Sequence, residues 1–244
     1  MNETIRLLKA HRSVRKYDGR AVEDEKVEAI IEAAQWSATS SHYQAYSIIQ
    51  VSDPDKRRLI AGVAGGQKWI VECPLFLVYC ANLKRSKTFW EGLDPEVLGN
   101  TEMFIMATVD AALAAQKAFI AAQSLGLGGV FIGGIRNDLK TISSILDLPE
   151  LVYPVFGMCL GYPAENNLQK PRLPKDVIHK QDGYSEEGDK ALIADYNNLI
   201  RCYYSERTGG KEQFNWSEHC GSAMMSKTRD EVGEFIREKG FGLR

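Results

Sequence analysis

Two arginines and a serine stand within five residues near the start of the chain, in the sequence His11-Arg12-Ser13-Val14-Arg15. An arginine guanidinium offers paired N–H donors and a serine hydroxyl offers a short one, and both suit the oxygens of a phosphate. The segment is therefore a candidate anion site. The alternative interpretation is a solvated basic end of an N-terminal helix, which the helix dipole favours.

A second basic segment lies far along the chain, at Lys170-Pro171-Arg172-Leu173-Pro174. The prolines fix an extended backbone, so Lys170 and Arg172 are presented from a stiff loop. Taken alone, the segment is equally well a surface linker with incidental charge. Because the net charge of the chain is only −2, two rigid basic segments favour one composite site for an anion.

Hydroxyl groups cluster at Thr39-Ser40-Ser41, where a predicted helix meets a predicted strand. These side chains could donate hydrogen bonds to a ligand, although serine and threonine also favour ordinary helix-ending turns. Gln67 follows Gly65-Gly66 and provides a neutral amide on a predicted loop.

Glycines follow a predicted strand in the segment Phe131-Ile132-Gly133-Gly134-Ile135-Arg136. Without side chains, Gly133 and Gly134 would let a planar ligand lie against bare backbone. A tight strand-to-helix turn is the alternative.

A third pair of basic residues, Arg207 and Lys211, flanks the glycine pair Gly209-Gly210. This arrangement could form a mobile clamp for another phosphate, or it could be a flexible solvated loop.

Several common sites are excluded by spacing. The glycines from Gly126 follow a helix, and Phe131 stands where a dinucleotide-binding fingerprint needs its third glycine. Phosphate-loop, nucleophile-elbow and catalytic-cysteine patterns do not occur. The histidines and cysteines lack ligand spacing, so we expect no metal site; they are His11, His42, His179, His219, Cys73, Cys80, Cys159, Cys202 and Cys220.

The composition is that of a soluble globular protein. Its 244 residues are 44% hydrophobic and 25% charged, which excludes a disordered chain or a disulfide scaffold. A net charge of −2 argues against an extended nucleic-acid surface. The first residues do not resemble a secretory signal, and no uninterrupted apolar run reaches the roughly 18 residues of a membrane span. We therefore expect a cytoplasmic protein with reduced thiols and no nucleic-acid or membrane partner.

The periodicity of apolar residues and the capping signals predict the helices and strands that must position these residues. Predicted helices lie near residues 5–8, 23–34, 101–125, 137–146, 186–205 and 228–239, with another beginning at Asp53-Pro54, and predicted strands at 45–51, 75–81, 130–134 and 151–160. This order indicates an α/β or α+β protein with a mixed central sheet flanked by helices, and α+β fits the tail better. We predict a single domain over 1–244, with a core of about 1–162 and a C-terminal arm of about 163–244.

Together these segments resemble the FMN-dependent nitroreductase superfamily, and within it the NADPH-dependent, oxygen-insensitive nitroreductase and flavin reductase group of bacterial enzymes. The resemblance covers nearly the whole chain. It rests on residues 11–15, 39–41, 65–68, 100–104, 110–116, 126–136, 170–174 and 203–208 in this order and spacing.

The resemblance implies a nitroreductase-like α+β homodimer with a swapped C-terminal arm and tightly, non-covalently bound FMN at the subunit interface. The residues it assigns to FMN are His11, Arg12, Ser13, Arg15, Gln67, Phe131, Ile132, Gly133, Gly134, Lys170 and Arg172, with Thr39, Ser40 and Ser41 from the second subunit. It assigns Arg207 and, less directly, Lys211 to NADPH, and Arg229 and His42 to the substrate pocket.

The implied activity is ping-pong transfer of two electrons from NADPH to small-molecule acceptors: nitroaromatics, quinones or free flavin. Because the cofactor carries the redox chemistry, we expect no catalytic side chain. Two alternatives remain open. One is a dedicated NADPH:FMN reductase that supplies reduced flavin, and the other is a flavin-binding redox module with little turnover.

Overall fold

A computed structural model describes residues 2–226 and 228–242 of the chain. The predicted range 1–244 thus includes residues 1, 227, 243 and 244, which lie outside the described ones. The described chain divides into two compact units. The first runs up to Asn167 and resumes at Arg229, and the second is Leu168–Thr228.

The first unit is built on a four-stranded sheet. Its strands are β1 (Tyr46–Gln50), β2 (Leu75–Asn82), β3 (Gly128–Ile132) and β4 (Val152–Gly161). They lie in the order β1-β2-β4-β3, and all three strand pairs are antiparallel. We predicted a mixed sheet; among the described residues the parallel component is a single bridge between Ser13 and Gly129.

Helices cover this sheet. Those of the first unit are α1 (Glu3–Lys9), α2 (Asp24–Gln35), α3 (Pro54–Val63), α4 (Trp69–Glu72), α5 (Lys84–Phe89), α6 (Pro95–Leu98), α7 (Thr101–Ser124), α8 (Leu139–Ile145) and, after the second unit, α12 (Val232–Glu238). The second unit contains α9 (Lys175–Ile178), α10 (Asp189–Thr208) and α11 (Trp216–Ser226). Short 3-10 helices lie at Ser40–His42 and Gly133–Asn137.

Both faces of β2 are buried, which explains its continuous apolar sequence. Alternate side chains enter two different cores: Leu77 and Tyr79 pack with the residues of α7, whereas Phe76 and Val78 pack with those of α3 and α8. The sheet is therefore the middle layer of three.

Helix α7 lies in the first of these cores. Its buried face is mostly alanine, which lets the helix approach the sheet and α2 closely. By length and apolar composition α7 could cross a membrane. Its buried positions and the buried carboxylate of Asp110 instead identify it as the core helix of this unit.

The second unit has a small aromatic core. Tyr196, Ile200, Tyr203 and Tyr204 of α10 are buried there, with Leu173, Phe214 and Trp216 packed against them. An ion pair joins Lys180 and Asp189 at 2.6 Å, with both side chains largely covered.

The predicted α+β class is confirmed, and most predicted elements are present. Two local predictions were wrong. Strand β3 begins at Gly128, two residues before the predicted start, and Gly133–Asn137 is a 3-10 helix. Helix α10 continues to Thr208, so Arg207 lies in its last turn and not in a loop. Five helices were not predicted: the short α4, α5, α6 and α9, and α11, whose sequence lacks a regular apolar stripe.

Candidate functional site

The segment Arg12–Arg15 is attached to the outer edge of β3. The backbone N–H of Val14 donates to the Gly129 carbonyl at 2.9 Å, beside the parallel bridge of Ser13 with Gly129. A Cβ atom at Gly128 would lie 2.6 Å from the Val14 side chain, so only glycine permits this approach. The two N-terminal glycines of β3 thus bring the basic segment to the sheet.

Side chains of this segment face two directions, as in any extended chain. Arg12 and Val14 line a cavity of about 440 Å³, with Gln123, Gly128 and the segment 163–167 among its other walls. On the opposite side, the Arg15 guanidinium lies 5.6 Å from the centre of the Trp69 ring, and the His11 ring is 5.3 Å from that of Phe119. Arg12 and Arg15 therefore serve different surfaces.

Gln67 lies against the glycines that follow β3. A Cβ atom at Gly134 would be 2.9 Å from Gln67 Nε2 and 2.9 Å from the Ala64 carbonyl oxygen. Gly65 and Gly66 have φ values of +78° and +74°, which glycine adopts readily, and they turn the chain from α3 toward Gln67. Ser13 and Val14 meet Gly129 near the start of β3, Gln67 meets Gly134 after its end, and Trp69 contacts Arg15. The segments 11–15 and 67–69 therefore both lie along β3 and the glycines that follow it.

The side chains of Phe131 and Ile132 point into the cores. The Phe131 ring stacks on Phe119 at 5.2 Å, and Ile132 is 1% exposed. Ile132 is buried, whereas Phe131, Gly133 and Gly134 are half-buried.

Two guanidiniums stand beside these glycines. Arg136, which approaches Gly133, donates from Nη1 to the Val155 carbonyl, and Arg229 Nε donates to Asn137 Oδ1 at 3.1 Å. Burial lowers the pKa of Arg136, and the positive charge of Arg229 lowers it further. Sequence reasoning assigned Arg229 to the site and missed Arg136, although both are arginines next to polar turns.

The hydroxyl cluster lies in the loop between α2 and β1. Thr39 is half-buried, whereas Ser40, Ser41 and His42 are exposed. Asp110 of α7 accepts hydrogen bonds from the backbone of this loop. Sequence reasoning missed that role, although a lone acid in an apolar helix was the available signal.

The remaining predicted residues belong to the second unit. Lys170 Nζ donates to the Tyr204 hydroxyl at 2.8 Å, and Arg172 Nη1 donates to the Lys170 carbonyl at 2.7 Å. The predicted stiff loop is thus held by side chains as well as prolines. Arg207 and Lys211 are both exposed, on either side of Gly209 and Gly210, whose φ values are +62° and +84°.

Comparisons with known proteins agree along the full chain. Residues 8–162 match the Nitroreductase family, and residues 170–244 match the C-terminal domain of the Nitroreductase family. FMN reductase (NADPH) from Bacillus subtilis is 40% identical, with 99% of each chain covered. Oxygen-insensitive NADPH nitroreductase from Salmonella typhimurium is 37% identical over 100% of both. The solved structure of NfrA1 nitroreductase from B. subtilis superposes with a TM-score of 0.96 at 39% identity, covering 99% of this chain and 100% of that one.

Proposed function

The chain belongs to the nitroreductase family, and we propose that it is an FMN-containing oxidoreductase that passes two electrons from NADPH to small acceptors such as nitroaromatics, quinones or free flavin. One observation carries this proposal beyond family membership: the segments 11–15 and 67–69 both lie along β3 and the glycines that follow it, residues 128–134. Cations, a hydroxyl, an amide and bare glycine backbone are thereby gathered in one region.

The residues present fit FMN chemically. A phosphate group needs charge-assisted donors, and the guanidiniums of Arg12 and Arg15 have no carboxylate partner among residues 2–226 and 228–242. The indole N–H of Trp69, beside Arg15, is buried without a partner. The glycine backbone of 133–134 offers a surface on which no side chain obstructs a flat ring. Bound FMN would supply the two-electron chemistry, which no side chain in the site can perform.

Each residue then has a defined task. Arg12, Ser13, Arg15 and His11 hold the cofactor from the N-terminal segment. Gln67 donates or accepts through its amide, and Phe131 to Gly134 present backbone. Lys170 and Arg172 of the second unit are assigned to FMN on the family resemblance, as cations that neutralise an anionic group.

Binding of NADPH and of acceptors is assigned to more exposed residues. Arg207 pairs with the 2′-phosphate of NADPH, the group that NADH lacks, and Lys211 is a weaker candidate for the same role. Arg229 and His42 border the acceptor, and Arg136 adds a second positive charge beside Arg229. A positively charged border suits NADPH, which carries several negative charges, and acceptors that carry an anionic substituent.

We propose a homodimer with a swapped C-terminal arm, in the cytoplasm, and without nucleic-acid or membrane partners. The support is an apolar stripe on α7: Ile105, Val109 and Leu113 are 48%, 48% and 45% exposed at successive fourth positions. Such a face is normally covered in the functional assembly. The loop with Thr39–Ser41 is held at Asp110, nine residues and about 14 Å along α7 from Phe119, which supports its assignment to the cofactor of the other subunit.

A dedicated NADPH:FMN reductase is the second candidate, because the relative that is 40% identical carries the name FMN reductase (NADPH). Comparing turnover with free FMN and with a nitroaromatic acceptor separates the two functions. Turnover with FMN alone would favour the reductase. Negligible NADPH oxidation with every acceptor would leave only a flavin-binding redox module.

The first test is the visible absorption spectrum of the purified protein, followed by anaerobic addition of NADPH. A yellow protein that NADPH bleaches is the expected result. A protein that stays colourless after incubation with FMN would contradict the proposed cofactor. Equal turnover with NADH would contradict the role of Arg207.

A further inference from the structure

A buried carboxylate stands in the middle of the apolar helix α7, which carries none of the residues assigned to cofactor or substrate. Asp110 is 1% exposed, and its neighbours on the buried face of the helix include Ala107, Ala111 and Ala114. A charged side chain in such surroundings persists only when its oxygens are satisfied. Its hydrogen bonds therefore indicate its purpose.

Both oxygens of Asp110 bind the backbone of one loop. Oδ1 accepts from the Ser40 N–H at 3.0 Å, and Oδ2 accepts from the Ala45 N–H at 3.0 Å. These two amides lie at the two ends of the turn that carries Ser40 and Ser41. One carboxylate thus spans the turn and fixes the separation of its ends.

The turn between these anchors has an unfavourable backbone. Ser41, His42 and Gln44 have φ values of +44°, +61° and +52°, in the left-handed region that residues other than glycine rarely adopt. Hydrogen bonds within the loop also hold it: the Tyr43 N–H donates to the Ser40 carbonyl at 2.8 Å, the Tyr46 N–H to the Gln44 carbonyl at 2.8 Å and the His42 N–H to the Thr39 carbonyl at 3.5 Å. Such a conformation persists where surrounding contacts determine it, and these conformations are concentrated at functional sites.

A second side chain holds the exit of the turn but cannot replace Asp110. Arg85 donates from Nη1 to the Gln44 carbonyl at 3.0 Å and from Nη2 to the Tyr46 carbonyl at 3.1 Å. A guanidinium has only donors, so it satisfies carbonyls and leaves the amides of Ser40 and Ala45 to the carboxylate.

We propose that Asp110 is a positioning residue that holds Ser40 and Ser41 in the conformation in which they contact the cofactor. The proposal rests on the proposed function, which assigns the turn to FMN. Asp110 touches neither cofactor nor substrate. It acts by fixing both ends of the strained turn before the ligand arrives, so that binding does not have to order it.

The first test is Asp110→Asn in the FMN-loaded protein. The amide keeps one acceptor oxygen but places an N–H group against a backbone N–H, so one anchor is lost. We expect FMN to dissociate with a Kd raised about tenfold, as loss of a hydrogen bond to a charged group implies. Asp53→Asn is the matched control, since Asp53 also accepts from two backbone amides, at 2.7 and 3.3 Å, but at the start of α3. Its Kd for FMN should equal that of the wild type.

A rescue variant separates positioning from general loss of stability. In Asp110→Asn combined with Gln44→Gly, glycine adopts the left-handed backbone at position 44 without the usual penalty. We expect FMN affinity to recover at least in part. If Asp110 only stabilised the core, the added glycine would restore nothing, and that result would overturn the proposal.

Amide hydrogen exchange tests the anchors without any variant, should Asp110→Asn fail to fold. The Ser40 and Ala45 amides should exchange slowly, like core amides, while the amide of the exposed residue Ser41 exchanges rapidly. This protection should remain after FMN is removed. Fast exchange at Ser40 and Ala45 would overturn the proposal. A wild-type protein that binds no FMN would overturn the proposed function and this role with it, whereas equal FMN affinity of wild type and Asp110→Asn would overturn only the role of Asp110.

Discussion

Gly134→Ala tests whether the contact of the glycine turn with Gln67 holds the site together. The new methyl group would lie 2.9 Å from the Ala64 carbonyl oxygen, 2.9 Å from Gln67 Nε2 and 3.1 Å from the Ala64 Cα atom. Carbon atoms pack at about 3.5–4.0 Å, so both neighbours must move by several tenths of an ångström. The Gln67 amide can rotate away, but the backbone of Ala64 at the end of α3 cannot.

The expected cost follows from this asymmetry. Overpacking against backbone lowers the free energy of unfolding by about 1–3 kcal/mol, and each kcal/mol lowers the melting temperature by about 2–4 °C in a chain of this size. Rotation of Gln67 would also remove the neutral hydrogen bond that we propose it makes to FMN, worth about 0.5–1.5 kcal/mol. FMN should therefore bind up to about tenfold more weakly.

Gly62→Ala is the matched control, because the substitution is the same and its effect has the opposite sign. No atom lies within 4 Å of a Cβ at Gly62, which is exposed within α3. Alanine should raise the free energy of unfolding there by about 0.5–1 kcal/mol and leave FMN binding unchanged. Thermal melts and FMN titrations of both variants are the assay. A Gly134→Ala protein with wild-type stability and wild-type FMN affinity would refute the reasoning.

Three further predictions concern other parts of the first unit. A hydrogen bond from the Tyr162 hydroxyl is the main cause that lowers the pKa of Glu23 from 4.5 to about 2. The stabilisation that this bond provides is therefore present above pH 4.5 and is lost as the pH falls toward 2. The difference in melting temperature between the wild type and Tyr162→Phe should shrink across that range. The buried guanidinium of Arg57 donates to three backbone carbonyls, at 2.6, 2.6 and 3.4 Å, and Arg57→Ala removes these donors. A urea titration should show that the free energy of unfolding falls by about 2–4 kcal/mol, and a fall below about 1 kcal/mol would contradict this role of Arg57. Val109→Glu places a charge on the apolar stripe of α7. If that stripe forms the proposed dimer interface, sedimentation should detect dimers of the wild type and monomers of the variant.

The helices and strands that could be predicted from the sequence are those whose own apolar residues indicate that they are buried. Strand β2 was found because both of its faces are buried, which makes every residue of Leu75–Ala81 apolar. Strand β3 was placed two residues late, because Gly128 and Gly129 look like turn residues. Glycine is required at both positions by tertiary contacts. A Cβ atom at Gly129 would clash with the Cys159 carbonyl oxygen of β4, and one at Gly128 would clash with the Val14 side chain. Such contacts are invisible to a local pattern.

For the candidate site residues, too, the sequence predicted what depends on residue type and missed what depends on tertiary contacts. Residue type identified Arg12, Ser13 and Arg15 as suited to an anion, but nothing in the sequence separates Arg12, which lines the cavity, from Arg15, which meets Trp69. Asp110 was visible as a lone acid in an apolar helix. Its hydrogen-bond partners lie 65 and 70 residues earlier in the chain, so its purpose depended on the fold.

The net charge of the chain does not reveal the positive region around Arg136 and Arg229. A chain with a net charge of −2 has no overall attraction for anions, yet Arg136 and Arg229 lie close enough that one lowers the pKa of the other. Neither has a carboxylate partner within residues 2–226 and 228–242. Two like charges near each other oppose folding, and a bound anion would relieve that repulsion. The local field, and not the total charge, therefore determines which ligands this region attracts.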